Sequence, residues 1–215
     1  MIEPLPDIDV EALRPLLAWL DMAGVAVFAI SGALAAARAR HTIVTFGFFA
    51  AITGIVGGTL RDLLIGAPVF WVGRSDYIGI CLAAAIGVWV LRADRWPLPS
   101  LLWFDAIGMA AYAVIGAAKA GSYGLPPLVC IVMGVLTASF GGIVRDVLAG
   151  VPSILLRREI YVSAAALGAT IYVGLAEFGA DRWVASGLGV AAGFILRGLA
   201  ISRGLALPAY RDKAD

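Results

Sequence analysis

A charged phrase, Gly-Gly-x-x-Arg-Asp-x-x-x-Gly-x-Pro, occurs twice in the chain and contains the residues best suited to chemistry. The first copy spans residues 57–68 and the second spans residues 141–152, so equivalent positions lie 84 residues apart. Both copies stand at the ends of long apolar runs, where ionised side chains are energetically costly and usually mark function. The phrase is therefore the first feature of the sequence that a function must explain.

Arg61-Asp62 and Arg145-Asp146 allow two interpretations. If the arginines face a water-filled path, they form a positively charged constriction, or a clamp for lipid phosphates, toward each membrane face. Alternatively, they are ion pairs at helix ends, and the following Gly-x-Pro stops each helix. Counted from residue 42, Arg61 lies about 30 Å along a helix. The membrane interface is within that reach, so both interpretations stay open.

The glycine pairs Gly57-Gly58 and Gly141-Gly142 lie one helical turn before the charged residues. Each glycine costs about 1 kcal/mol of helix propensity relative to alanine, and a pair permits a kink or an unwound turn. Unwound backbone is tolerated inside a membrane only against protein or in a wet cavity. We expect the pairs to bend two helices beside a water-filled path; close packing between helices is the alternative.

Further polar residues accompany the repeated phrase. Asp21 and Asp105 are expected at helix N-termini, either as caps that favour the helix dipole or as a vestibule that attracts cations on opposite membrane sides. Lys119, whose equivalent is Ala35, breaks the symmetry and is either a gating charge or a residue whose ammonium reaches the interface. Hydroxyl groups lie inside the apolar segments, where most bond only their own backbone: Ser31, Thr53, Thr137 and Ser139.

The composition indicates an integral membrane protein. Of the 215 residues, 61% are hydrophobic and only 14% are charged, whereas a soluble domain has about 25% charged residues. The net charge of +1 and the absence of a basic stripe exclude a nucleic-acid partner. With one histidine, two isolated cysteines and no catalytic motif, the sequence predicts neither an enzyme nor a metal or cofactor site.

The hydropathy pattern predicts an all-α protein with seven membrane spans: 19–37, 42–65, 76–92, 101–120, 126–149, 160–177 and 183–201. The 84-residue repeat groups these spans into two units of three, with the seventh as an addition. Because three is odd, the second unit must enter the membrane inverted. We expect five parts: an extracytoplasmic segment (1–18), a first repeat (19–98), an inverted second repeat (99–180), a seventh helix (181–203) and a cytoplasmic tail (204–215).

Lysine and arginine placement predicts the orientation. Eleven of these residues fall on the side of the C-terminus and five on the opposite side. We therefore expect a cytoplasmic C-terminus and an N-terminus outside the cell membrane.

The repeated phrase in a protein of two three-span units resembles the bacterial trimeric intracellular cation (TRIC) channel family, over about residues 19–200. The resemblance implies a homotrimer in the bacterial inner membrane, lipid contacts at the subunit surfaces, and an hourglass-shaped, potassium-permeable pore in each protomer. It also implies kinks at both glycine pairs. Some bacterial relatives have been labelled putative glycine transporters. This chain has Thr59 and Ile143 where a third glycine stands in one version of the motif.

Three functions follow as alternatives. In a passive channel for potassium or sodium ions, the first, second, fourth and fifth spans line the pore. Ser31, Thr53, Thr59, Thr137 and Ser139 then supply oxygens, and Arg61, Lys119 and Arg145, with Asp62 and Asp146 beside them, set barriers or gates. In a carrier for a small amino acid such as glycine, an arginine holds the carboxylate and an aspartate the ammonium. The third alternative is a structural membrane protein without transport.

Overall fold

The computed structural model describes residues 10–92, 97, 99–156 and 158–208. Within these ranges the chain forms seven α-helices and a short 3-10 turn at Ile154–Leu156, which confirms the predicted all-α architecture. The helices are α1 (Val10–Arg38), α2 (Ile43–Leu64), α3 (Asp76–Val90), α4 (Pro99–Ser122), α5 (Pro127–Leu148), α6 (Val162–Glu177) and α7 (Arg182–Arg203).

Five helices are long and apolar enough to cross a membrane: α1 from Asp21 onward, α2, α4, α5 and α7. Helices α3 and α6, which are equivalent in the repeat, are shorter, with 15 and 16 residues. A perpendicular crossing needs about 20 residues, so these two helices are shorter than such a crossing requires. Helix α1 begins at Val10 rather than at residue 19, so part of the expected N-terminal segment is helical. Residues 1–9, 93–96, 98, 157 and 209–215 lie outside the described residues.

Helices α1 and α4, the first of each unit, pack through reciprocal contacts. A methyl group added at Gly24 would meet the ring of Tyr112, and one added at the equivalent Gly108 would meet the ring of Phe28. The Phe28 and Tyr112 ring centroids are 5.5 Å apart. Because the lower-numbered residue of α1 meets the higher-numbered residue of α4, the two helices run antiparallel at this contact.

Helices α2 and α5 repeat this arrangement around the glycine pairs. Gly57 packs against the carbonyl group of Thr137, and the equivalent Gly141 packs against the carbonyl group of Thr53. This pairing is also antiparallel and reciprocal, as a two-fold relationship between equivalent elements requires. Helix α3 completes the first group of helices by packing on α1 and α2, while α6 packs on α4 and α5, and α7 packs on α4 and α6.

The glycine pairs do not unwind their helices, which was one of the two ways in which they were expected to act. Helix α2 is continuous from Ile43 to Leu64, and α5 is continuous from Pro127 to Leu148. The glycines instead allow two helix backbones to touch, because Gly57 and Gly141 face carbonyl oxygens of the partner helix. Close packing between helices, the alternative interpretation, is therefore the one that the structure favours.

Replacing Gly57 by alanine is expected to destabilise the protein, because the added methyl group would overlap the Thr137 carbonyl oxygen. Overpacking of this kind costs about 1–3 kcal/mol. Gly79→Ala in α3 is the matched control, since nothing lies within 4 Å of a methyl group there. Denaturant titration in detergent micelles compares the two free energies of unfolding. Equal stability of Gly57→Ala and the wild type would show that the helices separate at this contact without cost.

Candidate functional site

The first copy of the motif forms a buried group of three charged side chains, here called the Arg61 cluster: Arg61, Asp62 and Lys119. The Asp62 carboxylate oxygen Oδ1 accepts a hydrogen bond from Arg61 Nε at 2.8 Å. The same oxygen lies 2.8 Å from Lys119 Nζ. Arg61 is 3% exposed, Asp62 is fully buried, and the Lys119 side chain is 29% exposed. The formal charge of this cluster is +1, because two cations share one carboxylate.

The second copy forms a different group, the Arg145 cluster: Arg145, Asp146, Asp105 and Ser31. Arg145 Nε donates to Asp146 Oδ1 at 2.9 Å, and its Nη1 donates to Asp105 Oδ1 and to Ser31 Oγ, both at 2.5 Å. Arg145 and Asp105 are each 1% exposed. One cation here faces two carboxylates, so the formal charge is −1.

The two copies nevertheless share one local structure. In each, the second oxygen of the aspartate accepts a backbone N–H from the loop after the helix: Phe70 N–H to Asp62 Oδ2 at 3.0 Å, and Ile154 N–H to Asp146 Oδ2 at 2.9 Å. Phe70 and Ile154 are equivalent residues of the repeat. The Arg-Asp-x-x-x-Gly-x-Pro phrase therefore encodes a helix end whose loop is tied back to a buried ion pair.

The clusters differ through residues contributed by α4. Lys119, near its C-terminal end, adds a cation to the Arg61 cluster, while Asp105, near its N-terminal end, adds an anion to the Arg145 cluster. The ion pair between Lys119 and Asp62 joins residues 19–98 to residues 99–180, a contact that the sequence did not predict. Equivalent positions thus acquire opposite net charges at opposite ends of one helix.

The predicted helix-capping role of Asp21 and Asp105 is wrong. Asp21 lies well inside α1, because that helix begins at Val10, and Asp105 lies in the second turn of α4. Asp105 is buried against Arg145 and does not form an open vestibule. Asp21 instead accepts hydrogen bonds from the hydroxyl groups of Tyr77 at 2.5 Å and Tyr112 at 3.1 Å.

Most of the expected pore hydroxyls bond their own helix. Thr59, Thr137 and Ser139 each donate to the carbonyl oxygen four residues earlier, at 2.6–2.7 Å, as is usual for such residues in apolar helices. Thr59 Oγ1 also accepts from Trp71 Nε1 at 2.9 Å. Two of the five differ: Ser31 accepts a hydrogen bond from Arg145, and the Thr53 hydroxyl makes no hydrogen bond among the described residues.

A few buried polar atoms have no hydrogen-bond partner among the described residues, and three of them belong to the predicted site. They are Arg61 Nη1, Asp105 Oδ2 and Thr53 Oγ1. Buried polar atoms are normally satisfied, so unsatisfied ones point to water, an ion or a functional role. The Arg61 cluster therefore keeps a free donor, and the Arg145 cluster keeps a free carboxylate oxygen.

Sequence reasoning did not identify the role of Arg197. This arginine of α7 is 1% exposed, lies 2.6 Å from the carboxylate of Glu159 and stacks over the ring of Tyr161 at 5.2 Å. Its position inside a span was a readable signal, because ionisable residues within membrane segments usually mark function. Among the residues that the structure describes, no group of three or more histidine, cysteine and acidic side chains is arranged to hold a metal ion.

Comparison with known proteins agrees with this architecture. The family model described as "Glycine transporter" matches twice, at residues 18–93 and 102–177, which are again 84 residues apart. The UPF0126 membrane protein of Vibrio cholerae is 41% identical over 159 residues, a match that spans 71% of this chain and 65% of that protein. The UPF0126 inner membrane protein YadS of Escherichia coli K12 is 39% identical, with coverage of 71% and 75%.

The solved structure of a TRIC trimeric intracellular cation channel orthologue from Rhodobacter sphaeroides superimposes with a TM-score of 0.85. It is 43% identical in sequence, and the match covers 89% of this chain and 100% of that one. The resemblance inferred from the repeated motif is thereby confirmed. The chain is a multi-pass membrane protein and belongs to the family described as "Glycine transporter", with the fold of the bacterial TRIC cation channels.

Proposed function

We propose that this protein is a potassium-permeable channel for monovalent cations, with a separate passage in each protomer of a homotrimer. The observation that carries the proposal is the pair of buried clusters of opposite formal charge at the ends of α2 and α5. In this proposal the net −1 formal charge of the Arg145 cluster favours cations over anions. The net +1 charge of the Arg61 cluster raises a barrier that limits their passage.

The passage runs between two inverted repeats in this proposal, residues 19–98 and 99–180. Two features support the inversion: the reciprocal antiparallel contacts of α1 with α4 and of α2 with α5, and the double match of the family model. Direct backbone contact of Gly57 and Gly141 with the opposite helix closes the space between α2 and α5. In this proposal the contact keeps the passage shut, and opening requires α2 and α5 to separate or rotate there.

We further propose that the protein lies in the bacterial inner membrane with its C-terminus in the cytoplasm. The excess of lysine and arginine on the side of the C-terminus supports this orientation. The relative YadS is named an inner membrane protein, which supports the same membrane for this chain.

A glycine carrier is the second candidate, favoured by the description of the matching family model. Its chemistry requires a cation and an anion close together, for example the free nitrogen of Arg61 and the free oxygen of Asp105. The antiparallel α2–α5 pairing places Arg61 and Arg145 about twelve residues apart in level, or roughly 18 Å along the helix axes. One glycine molecule is far too short to bridge the two clusters, so a carrier would bind it within one cluster, where the cations and carboxylates already pair with each other.

Proteoliposomes test the two candidates in the same preparation. We expect the purified protein to let potassium ions equilibrate across the liposome membrane, measured with a potassium-sensitive dye. Radiolabelled glycine added outside should accumulate no faster than in protein-free liposomes. Glycine uptake that saturates with concentration, without potassium flux, would instead establish the carrier.

A further inference from the structure

A cavity of about 620 Å³ lies where the C-terminal ends of α1 and α3 meet the start of α2. None of its lining residues belongs to the two motif clusters, and the inference goes beyond the proposed conduction function. Four basic-type side chains line it, over an apolar floor: Arg38, Arg40, His41 and Arg92, with Phe46 and Trp89 beneath. Among the described residues that line the cavity there is no carboxylate.

Two of these arginines occupy an unusual backbone conformation. Arg40 has φ of 55° and Arg92 has φ of 48°, and they are the non-glycine residues with positive φ among the described part of the chain. The Arg40 N–H donates to Ala37 O at 3.0 Å and the His41 N–H donates to Ala36 O at 3.1 Å. This pattern is the helix-ending motif whose left-handed position is usually glycine.

The other helices that end in a left-handed residue have glycine at that position. After α2, α4, α5, α6 and α7 the left-handed position is glycine, at Gly66, Gly124, Gly150, Gly179 and Gly204, with φ of 64–76°. Arginine is disfavoured there because its Cβ crowds the backbone. The two helices that end in arginine instead are α1 and α3, and both arginines line the same cavity. Backbone strain concentrated at one place points to a function of the side chains.

The lining also indicates the class of ligand. Guanidinium groups bind phosphate oxygens through paired charge-assisted hydrogen bonds. The rings of Phe46 and Trp89 meet edge to face, with their centroids 5.0 Å apart. They give the cavity an apolar surface beside the charged groups. The cavity is larger than a bare phosphate ion needs, so it has room for an organic group next to the phosphate.

We propose that this cavity is a binding site for an organic phosphate anion, held by Arg38, Arg40 and Arg92 with its organic part on Phe46 and Trp89. The anion is either the headgroup of an anionic phospholipid or a water-soluble phosphate ester, because both present the same phosphate chemistry to the cavity.

The test uses the purified full-length protein and two probes. The soluble probe is glycerol 3-phosphate, added to protein in nanodiscs of phosphatidylcholine at constant ionic strength. The lipid probe is phosphatidylglycerol, either incorporated into the nanodiscs or counted as bound molecules by native mass spectrometry. Thermal unfolding reports stabilisation by each probe, and titration of each probe gives its apparent affinity.

The informative variant carries Arg40→Gly together with Arg92→Gly. Glycine relieves the backbone strain, so this variant is expected to unfold at a temperature equal to or above that of the wild type. Its affinity for the probe that stabilises the wild type should fall by about tenfold or more, since two charge-assisted contacts are lost. Arg203→Gln, which removes an exposed arginine from the end of α7, should bind as the wild type does.

The two probes distinguish the sources of the anion. Stabilisation by phosphatidylglycerol alone identifies a lipid headgroup, and stabilisation by glycerol 3-phosphate alone identifies a soluble ester. Two results would overturn the proposal: no stabilisation of the wild type by either probe, or equal affinities of the wild type and the double glycine variant.

Discussion

Replacing Arg145 by glutamine is expected to destabilise the protein by about 3–5 kcal/mol, the usual cost of leaving a buried charge without its partner. Arg145 balances the carboxylates of both Asp105 and Asp146, and all three groups are buried. The equivalent change, Arg61→Gln, should cost about half as much or less, because Asp62 keeps the ammonium group of Lys119 and the N–H of Phe70.

Denaturant titration in detergent micelles measures both free energies of unfolding, with Arg203→Gln as the control for the loss of an exposed arginine. Adding Asp105→Asn to Arg145→Gln should recover part of the lost stability, because it neutralises one of the stranded carboxylates. Equal losses for the two arginine variants would mean that the different net charges of the clusters have no energetic consequence.

Replacing Asp62 by asparagine is expected to reduce potassium conductance strongly. It removes the one carboxylate that Arg61 and Lys119 share, which raises the formal charge of the Arg61 cluster from +1 to +2. For an ion passing about 10 Å away at an effective dielectric constant of about 20, one additional charge adds roughly 1.7 kcal/mol. This is on the order of a tenfold reduction in conductance, measured as unitary current in planar bilayers.

The double variant Asp62→Asn with Lys119→Met separates the charge of the cluster from its packing. It restores the formal charge of +1 and should recover most of the conductance. Asp76→Asn is the control, because Asp76 pairs with Arg74 at 2.6 Å in an exposed position near the same end of α2. If the single and double variants conduct equally poorly, the ion does not sense the charge of the Arg61 cluster.

The architecture was largely readable from the sequence. Hydropathy located all seven helices, and the constant offset of 84 residues identified the repeat without a structure. The Arg-Asp motif was singled out as the main functional candidate, but the sequence left open whether its charges face a water-filled path or form ion pairs at helix ends. The predictions of the helices succeed because they depend on local patterns: helix-length apolar runs and helix-stopping Gly-x-Pro.

Contacts between helices that are distant in the chain could not be predicted from the sequence. Nothing local links Lys119 to Asp62 or Asp105 to Arg145, because these pairs depend on how α4 crosses α2 and α5. Misplacing the start of α1 gave Asp21 a capping role, whereas two tyrosine hydroxyls bind it. The glycine pairs were expected to bend the helices, through a kink or an unwound turn. A glycine that faces a partner backbone has the same sequence signature as one that breaks a helix, and only the packing distinguishes them.

The charges of the two clusters make ion selectivity the decisive property, because arginine-rich passages attract anions as readily as carboxylates attract cations. The most direct test is the reversal potential of unitary currents from the purified protein in a planar bilayer with asymmetric potassium chloride. We predict discrete current steps that reverse near the potassium equilibrium potential. Steps that reverse near the chloride equilibrium potential would contradict the proposed cation channel.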